Sequence, residues 1–267
     1  MLIVFDGAVD IPDDLADSPL LRRVPGEVWD GETALGDADS FWAQLRQGNY
    51  PSTTPPTVSA LAAAYDHPDL VVALHVSGRL SATVRRAEEA AERAGPGIVV
   101  IDTGSISVGA GLVVAAVSHF AQHMGGSDSL VEFAKSLPGR LHTFAIVQDV
   151  ESLRRSDRSG LLPSSHLARN HPLLLAVRGR IVALSQPKHR SGAISDLATH
   201  VRRSTGPRSG AWALGHGDAA DAESVVDHLT KSLEAPPRFV TRLDPTVGAH
   251  LGPDSIVVGV ISGPINV

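Results

Sequence analysis

The stretch LVVALHVSGRLSATVRRAEEAAERAGPGIVVID, residues 70–102, decides the fold class of this chain. Its two ends, Leu70–Val76 and Gly97–Ile101, are short apolar runs rich in β-branched residues, which are typical of buried strands. Between them, Ser81–Ala94 is rich in Ala, Glu and Arg and contains neither Gly nor Pro, so it predicts a helix. A strand, a helix and a strand in succession predict a parallel strand pair joined by a crossover helix.

The segments on either side of this unit extend the same pattern. Leu2–Phe5 is another apolar run and predicts a third buried strand. Val108–Met124 predicts a further helix, which is apolar on most of its surface and is therefore expected to be buried. Residues 1 to about 136 are thus predicted to form an α/β/α domain built on a parallel sheet.

The pattern changes beyond the turn-forming segment Ser136–Arg140. Strands are predicted at Thr143–Val147, Leu173–Val177, Arg180–Leu184, Ala211–Gly215 and Ile256–Ile261, and helices at Ala193–Arg203 and Asp218–Leu233. Because two of these strands are joined by the tight turn Arg178-Gly179, the second sheet is predicted to be mixed or antiparallel, with helices on one face. We therefore predict two α/β domains, residues 1–138 and 139–267.

The composition limits the classes of function. The 267 residues include no cysteine, which excludes disulfides, thiolate metal ligands and cysteine nucleophiles and is typical of a cytoplasmic protein. The net charge of -6 argues against a nucleic-acid partner. The opening residues Met1–Asp6 resemble a buried strand rather than a signal peptide, and no apolar run reaches the roughly 20 residues of a membrane span.

Short polar motifs are spread over the whole chain. They are Asp6–Pro12, Thr53–Thr57, Ser77–Thr83, Ile101–Gly109, Lys188–Arg190 and His250–Pro253. Hydroxyl groups and imidazoles dominate these motifs, and they donate hydrogen bonds without adding negative charge. Such donors suit an anionic oxygen ligand better than a metal. The twelve histidines show neither His-Glu-x-x-His spacing nor a close cluster, so no metal cofactor is expected.

Together these motifs resemble those of the DegV family, whose members bind fatty acids and include the fatty-acid-binding subunits of bacterial fatty acid kinase. The resemblance runs from Asp6 to about Val260. The segments and residues that correspond to the family motifs are Asp6, Asp10 and Pro12, Thr53–Thr57, Ser77–Thr83, Asp102, Ser107 and Gly109, Lys188 and Arg190, and His250, Gly252 and Pro253. Their order and spacing make the combination specific.

The resemblance implies a two-domain, non-catalytic binding protein that holds one long-chain fatty acid in a buried tunnel and uses no other cofactor. The carboxylate is expected near the cleft between the domains, in direct contact with Thr53 and Ser81. The other expected ligand-binding residues are Thr54, Ser77, Gly78, His250 and Gly252. The expected partners are a separate ATP-dependent fatty acid kinase, which docks on Arg190, and transiently a membrane.

Besides the substitutions Gly7 and Ile11 in the opening motif, three departures from the motifs of the family concern the function. Leu161 replaces the arginine of a Gly-Gly-Arg motif, Gly78 replaces the second serine of a Ser-Ser pair, and Asp254 replaces the last glycine of His-x-Gly-Pro-Gly. We expect fatty acid binding to tolerate these changes better than coupling to a kinase, because each buried methylene contributes about 0.8 kcal/mol whatever the polar contacts are.

Other interpretations of the same residues remain open. Ser81, His250 and Asp102 could serve a serine-dependent hydrolase or another small-molecule enzyme, although no serine lies in a Gly-x-Ser-x-Gly elbow. Ser81 is also suited to cap a helix, and His250 to lie in an ordinary loop. A binding protein for a different amphipathic ligand is the third interpretation.

Overall fold

A computed structural model gives the fold of residues 1–30, 33–34, 38–123, 126–148, 171–205 and 210–265. In these ranges the strands are β1 (Leu2–Asp6), β2 (Leu21–Val24), β3 (Glu27–Asp30), β4 (Thr33–Ala34), β5 (Ser52–Thr54), β6 (Val71–His75), β7 (Ile98–Asp102), β8 (Leu141–Ile146), β9 (Leu173–Val177), β10 (Arg180–Ser185), β11 (Ala211–His216), β12 (Val240–Arg242) and β13 (Ile256–Ile261). The α-helices are α1 (Asp13–Ala16), α2 (Ala38–Arg46), α3 (Val58–Ala64), α4 (Thr83–Ala94), α5 (Ser107–His123), α6 (Ser127–Ser136), α7 (Arg190–Thr205), α8 (Ala222–Leu233) and α9 (Pro245–Leu251).

The first sheet has the strand order β2-β1-β6-β7, and all its neighbours are parallel. Every residue of β1 and β6 is buried, because helices cover both faces of these central strands. Val4 and Ala73 face α3 and α4, whereas Phe5 and Leu74 face α5. The predicted parallel-sheet α/β/α architecture of the first half is confirmed.

The second sheet has the order β10-β9-β8-β13-β11-β12 and is antiparallel except where β11 pairs with β12. Phe144, Trp212 and Val258 form a core with α7 and α8 on one face of this sheet. The opposite face packs against α5. The predicted mixed sheet of the second half is therefore confirmed, with the correction that helices cover both of its faces.

Helix α5 lies between the two sheets, which explains why it is apolar on most of its surface. Strand β13 of the second sheet approaches the helix so closely that a Cβ atom added to Gly259 would lie 2.6 Å from the Cα of Gly109. A Cβ atom on Gly109 would itself lie 1.9 Å from Thr143 Oγ1. Glycine at both positions thus lets the helix backbone rest directly on β13.

Several boundaries differ from those predicted. The helix predicted from Ser81 begins at Thr83, the one predicted from Asp218 begins at Ala222, and α7 is longer at both ends. A separate antiparallel sheet, with the order β4-β3-β5, was not predicted. Its strand β5 reads Ser-Thr-Thr and carries no apolar alternation, so only its pairing with β3 reveals it.

The predicted boundary at residue 138 falls in the 3-10 turn Pro138–Arg140, directly before the first strand of the second sheet. Because α5 packs on both sheets, the division into residues 1–138 and 139–267 stays a prediction. Over the described ranges, no helix combines the length and the apolar character needed to cross a bilayer.

Candidate functional site

A cavity of about 260 Å³ opens where β1 and β6 end. Its wall includes Thr53, Ser81, Thr83, Arg86, Thr246 and His250. Ligands of parallel α/β sheets commonly bind at the carboxyl ends of the strands, because the loops and helix N-termini meet there. The cavity therefore lies where the fold favours a ligand site.

Two distant motifs meet across this cavity. Thr53 lies on β5, and His250 lies near the end of α9. Their side chains are joined by a hydrogen bond of 3.0 Å between Thr53 Oγ1 and His250 Nε2. A hydroxyl and an imidazole N–H can both donate to an oxygen anion, so this pair forms one polar side of the cavity.

Ser81 provides the facing side, directly before helix α4. Its Oγ lies 2.7 Å from Thr83 Oγ1 and accepts a hydrogen bond of 3.3 Å from the Thr83 N–H. The N-cap position itself belongs to Ala82, which makes no side-chain capping bond. Ser81 is therefore not the N-cap residue, and the positive end of the α4 dipole faces the cavity beside two hydroxyls.

Arg86 is a cavity residue that the sequence interpretation missed. Its Nη1 donates hydrogen bonds of 2.7 Å and 3.1 Å to the carbonyl oxygens of Pro55 and Pro56. The arginine thus fixes the Thr-Thr-Pro-Pro loop against α4 and places a cation in the wall of the cavity. Arg85 and Arg86 are adjacent in a helical segment, so the sequence did not distinguish the one that faces the loop.

The floor of the cavity contains a buried chain of hydrogen bonds. Asp6 accepts from the Ala8 N–H, the Val76 N–H and Nδ1 of His75, each at 2.9 Å. The Tyr65 hydroxyl lies 2.8 Å from Nε2 of His75. Burial, with a smaller effect of the Asp6 charge, raises the pKa of Tyr65, so its hydroxyl stays protonated. Three N–H donors thus stabilise the Asp6 carboxylate.

The remaining predicted ligand residues lie around the cavity rather than in its wall. Thr54 Oγ1 donates to Glu27 Oε2 at 3.3 Å, and Gly252 ends α9 with a φ of 78°. Ser77 and Gly78 belong to the loop after β6, and among the described residues they do not line the cavity. A Cβ atom at Gly78 would lie 3.3 Å from Asp102 Oδ2, so the glycine fits closely there.

Two of the three residues in the hydrolase interpretation lie in the wall of one cavity. Ser81 and His250 both line it. The third, Asp102, accepts hydrogen bonds from the backbone N–H groups of Gly78, at 3.1 Å, and Gly104, at 2.7 Å, and does not line it. Within the described part of the chain, no group of three or more His, Asp or Glu side chains could hold a metal ion.

Arg190, predicted to dock a kinase, makes an intramolecular ion pair. Its Nε and Nη2 donate to the two carboxylate oxygens of Asp221 at 2.6 Å and 2.7 Å.

Of the departures from the family motifs, Asp254 adopts a left-handed φ of 58°, the conformation that explains a glycine at this position. Leu161 lies outside the described residues.

Comparison with known proteins places this chain in one family. The DegV family, described as an uncharacterised protein family, matches residues 1–263. A DegV domain-containing protein of Mycobacterium tuberculosis is 30% identical over 275 residues, covering 98% of this chain and 98% of the relative. A DegV domain-containing protein of Deinococcus radiodurans is 31% identical over 287 residues, covering 99% and 98%. The chain therefore belongs to the DegV family.

Solved structures confirm the fold. A fatty-acid-binding DegV family protein from Thermus thermophilus matches with a TM-score of 0.86 at 23% identity, over 98% of this chain and 99% of that one. A stearic-acid-binding protein from Eubacterium ventriosum matches with a TM-score of 0.89 at 18% identity, over 98% of each chain. The fatty acid binding protein DegV from Bacillus subtilis gives 0.85 at 19% identity, over 97% and 98%.

Proposed function

We propose that this protein binds one long-chain fatty acid and holds its carboxylate between Thr53, Ser81 and His250. The observation that carries the proposal is the convergence of these three side chains, from three separate segments, on one cavity. Structural neighbours from Thermus thermophilus and Eubacterium ventriosum bind fatty acids, which supports the same ligand class here.

The electrostatics of the cavity suit a carboxylate. Burying a carboxylate without partners costs several kcal/mol, so a binding site must offer donors in advance. The Thr53 and Ser81 hydroxyls, the N-terminus of α4 and the Arg86 cation supply donors and positive potential. Because hydrogen bonds to a charged group are roughly twice as strong as neutral ones, these donors can stabilise the carboxylate of the ligand without a second cation in the cavity.

The apolar part of the ligand contributes most of the affinity. Val76, Leu80 and Ile106 lie in the wall of the same cavity and provide its apolar surface. We propose that the acyl chain runs from there into the protein interior, where each methylene that it buries would contribute about 0.8 kcal/mol. Binding is therefore accompanied by a negative change in heat capacity.

Binding of the fluorescent fatty acid cis-parinaric acid to delipidated protein tests this proposal. Thr53→Ala and Ser81→Ala each remove a hydroxyl donor, so each should weaken binding by about 1–3 kcal/mol. The matched control is Ser59→Ala, which removes an exposed hydroxyl bonded to Thr57 outside the cavity and should leave binding unchanged. Undiminished binding by the Thr53→Ala, Ser81→Ala double variant would show that the carboxylate lies elsewhere.

The wider role that we propose is that of a cytoplasmic carrier. The protein does no chemistry itself and presents the bound carboxylate to a separate ATP-dependent kinase, which forms the acyl phosphate. Acyl-phosphate production should then require both proteins, ATP and fatty acid. The second candidate, a hydrolase, rests on Ser81 and His250 sharing the cavity. It predicts turnover of ester substrates by the protein alone that disappears in Ser81→Ala.

A further inference from the structure

Asp10 is a buried acid that takes no part in the wall of the cavity. It follows β1, and its residue is 3% exposed. Its Oδ2 accepts a hydrogen bond of 2.6 Å from Ser107 Oγ, and its Oδ1 accepts one of 2.7 Å from the backbone N–H of Asp244. The backbone is equally confined, because a Cβ atom at Gly111 of α5 would lie 2.0 Å from the Asp10 carbonyl oxygen.

Both partners of Asp10 belong to segments that form the cavity. Ser107 begins α5 directly after the lining residue Ile106, and its N–H donates to the carbonyl of Ala8, another lining residue, at 2.7 Å. Ser107 holds a left-handed φ of 59°, so this junction is fixed by its contacts rather than by intrinsic preference. Asp10 thus joins the loop after β1 to the start of α5.

The second partner leads to His250. Asp244 is the N-cap residue of α9, and its Oδ1 accepts from the Thr246 N–H at 2.7 Å. Helix α9 carries both Thr246 and His250 to the cavity. Because α9 has only seven residues, its position depends on such tertiary contacts more than on helix propensity.

The charged groups near Asp10 do not make the burial of its carboxyl group favourable for the stability of the fold. Asp244 carries a like charge, and Arg23 of β2 pairs with Asp244 at 2.6 Å rather than with Asp10. Burial raises the pKa of Asp10 to about 7, and the charge of Asp244 adds to this effect. The hydrogen bonds from Ser107 Oγ and the Asp244 N–H and the charge of Arg23 oppose it. An acid retained at such a cost in stability is typical of functional sites.

We propose that Asp10 is a positioning residue of the head-group site, which sets the place of His250 by holding α9 against the loop after β1. This inference rests on the proposed function for its ligand. The contact of Asp10 with the Asp244 N–H fixes the first turn of α9. His250 at the other end of the helix is thereby held within reach of Thr53.

Two readouts test the proposal, fatty acid affinity and the ¹⁵N chemical shift of the His250 imidazole. Asp10→Ala should weaken cis-parinaric acid binding at least tenfold and shift the His250 resonance of the ligand-free protein. Asp10→Asn keeps an oxygen for the Asp244 N–H and an amide for Ser107 Oγ, so it should stay within threefold of wild type. The control is Leu229→Ala, which opens a buried site of α8 in the core of α7 and α8. It should lower stability without changing either readout.

If Asp10→Ala does not fold, Ser107→Ala removes one of the two bonds and should shift the same resonance with a smaller loss of affinity. A wild-type His250 resonance in folded Asp10→Ala or Ser107→Ala would overturn the proposal, and so would an equal loss of affinity in Leu229→Ala. If wild-type protein binds no fatty acid, the proposed function fails, whereas the imidazole resonance still decides the role of Asp10.

Discussion

Replacing Arg190 by alanine separates a structural role of this arginine from a role in docking a kinase. Arg190 is the first residue of α7, and its partner Asp221 lies directly before α8. The side chains of the pair are 20% and 35% exposed, so solvent screens the interaction only in part. Two parallel charge-assisted hydrogen bonds in such a setting should contribute about 1–2 kcal/mol to the free energy of unfolding.

The pH dependence of this contribution has a definite sign. The hydrogen bond from Arg190 lowers the pKa of Asp221 below its ordinary value. The stability that this pair provides is therefore present above the unfolded-state pKa of Asp221, near pH 4, and is lost as the pH falls through the folded-state value. Arg190→Ala should thus destabilise the protein at pH 7 and have a smaller effect near pH 3.

Urea unfolding of Arg190→Ala, Asp221→Ala and the double variant measures the interaction as a coupling energy. We expect about 1–2 kcal/mol at pH 7. Lys188→Ala, which changes an exposed cation two residues earlier, should alter the free energy of unfolding by less than about 0.5 kcal/mol. A coupling energy near zero would refute the structural role and would leave the Arg190 guanidinium available to a partner protein.

Three further variants test other parts of the structure. Burial raises the pKa of Asp10 to about 7, so ionisation of Asp10 lowers the free energy of unfolding by up to about 4 kcal/mol as the pH rises from about 4 to 8. In thermal unfolding, the stability of Asp10→Asn should therefore exceed that of wild type most at pH 8. Gly179 has a φ of 69°, and a Cβ atom there would lie 2.4 Å from Ser77 Oγ, so Gly179→Ala should lower the free energy of unfolding by about 1–3 kcal/mol. A Cβ atom at Gly139 would have no atom within 4 Å, so Gly139→Ala should leave the free energy of unfolding nearly unchanged. Arg86→Ala should weaken fatty acid binding by about 1–2 kcal/mol by releasing the Thr-Thr-Pro-Pro loop, and the adjacent exposed Arg85→Ala should not.

The main sheets could be predicted because their central strands are buried on both faces. Such strands form continuous apolar runs, and Leu70–Val76 and Ile256–Ile261 stand out in the sequence for this reason. The strands β3 and β5 could not be found in this way, since they are short and partly exposed and pair only in the folded chain. Helix α9 had a usable signal in Asp244 followed by Pro245, which are typical of a helix start.

The residues of the candidate site could be predicted from the sequence only because they lie in recognisable motifs. Thr53, Ser81 and His250 are far apart along the chain, and the structure places all three on one cavity. Arg86 and Asp10 act through backbone groups of other segments, which no local pattern reveals. The family resemblance is the ground for the predicted docking role of Arg190, and nothing in the Lys-His-Arg segment indicates that this arginine pairs with a carboxylate 31 residues later.

The most direct test of the account is to extract the purified native protein with organic solvent and to measure the bound lipid by mass spectrometry. A carrier with the proposed head-group site should yield about one long-chain fatty acid per protein molecule, and a strongly reduced amount in the Thr53→Ala, Ser81→Ala double variant prepared in the same way. An extract of the wild-type protein without fatty acid, or an equal amount in the folded double variant, would contradict it.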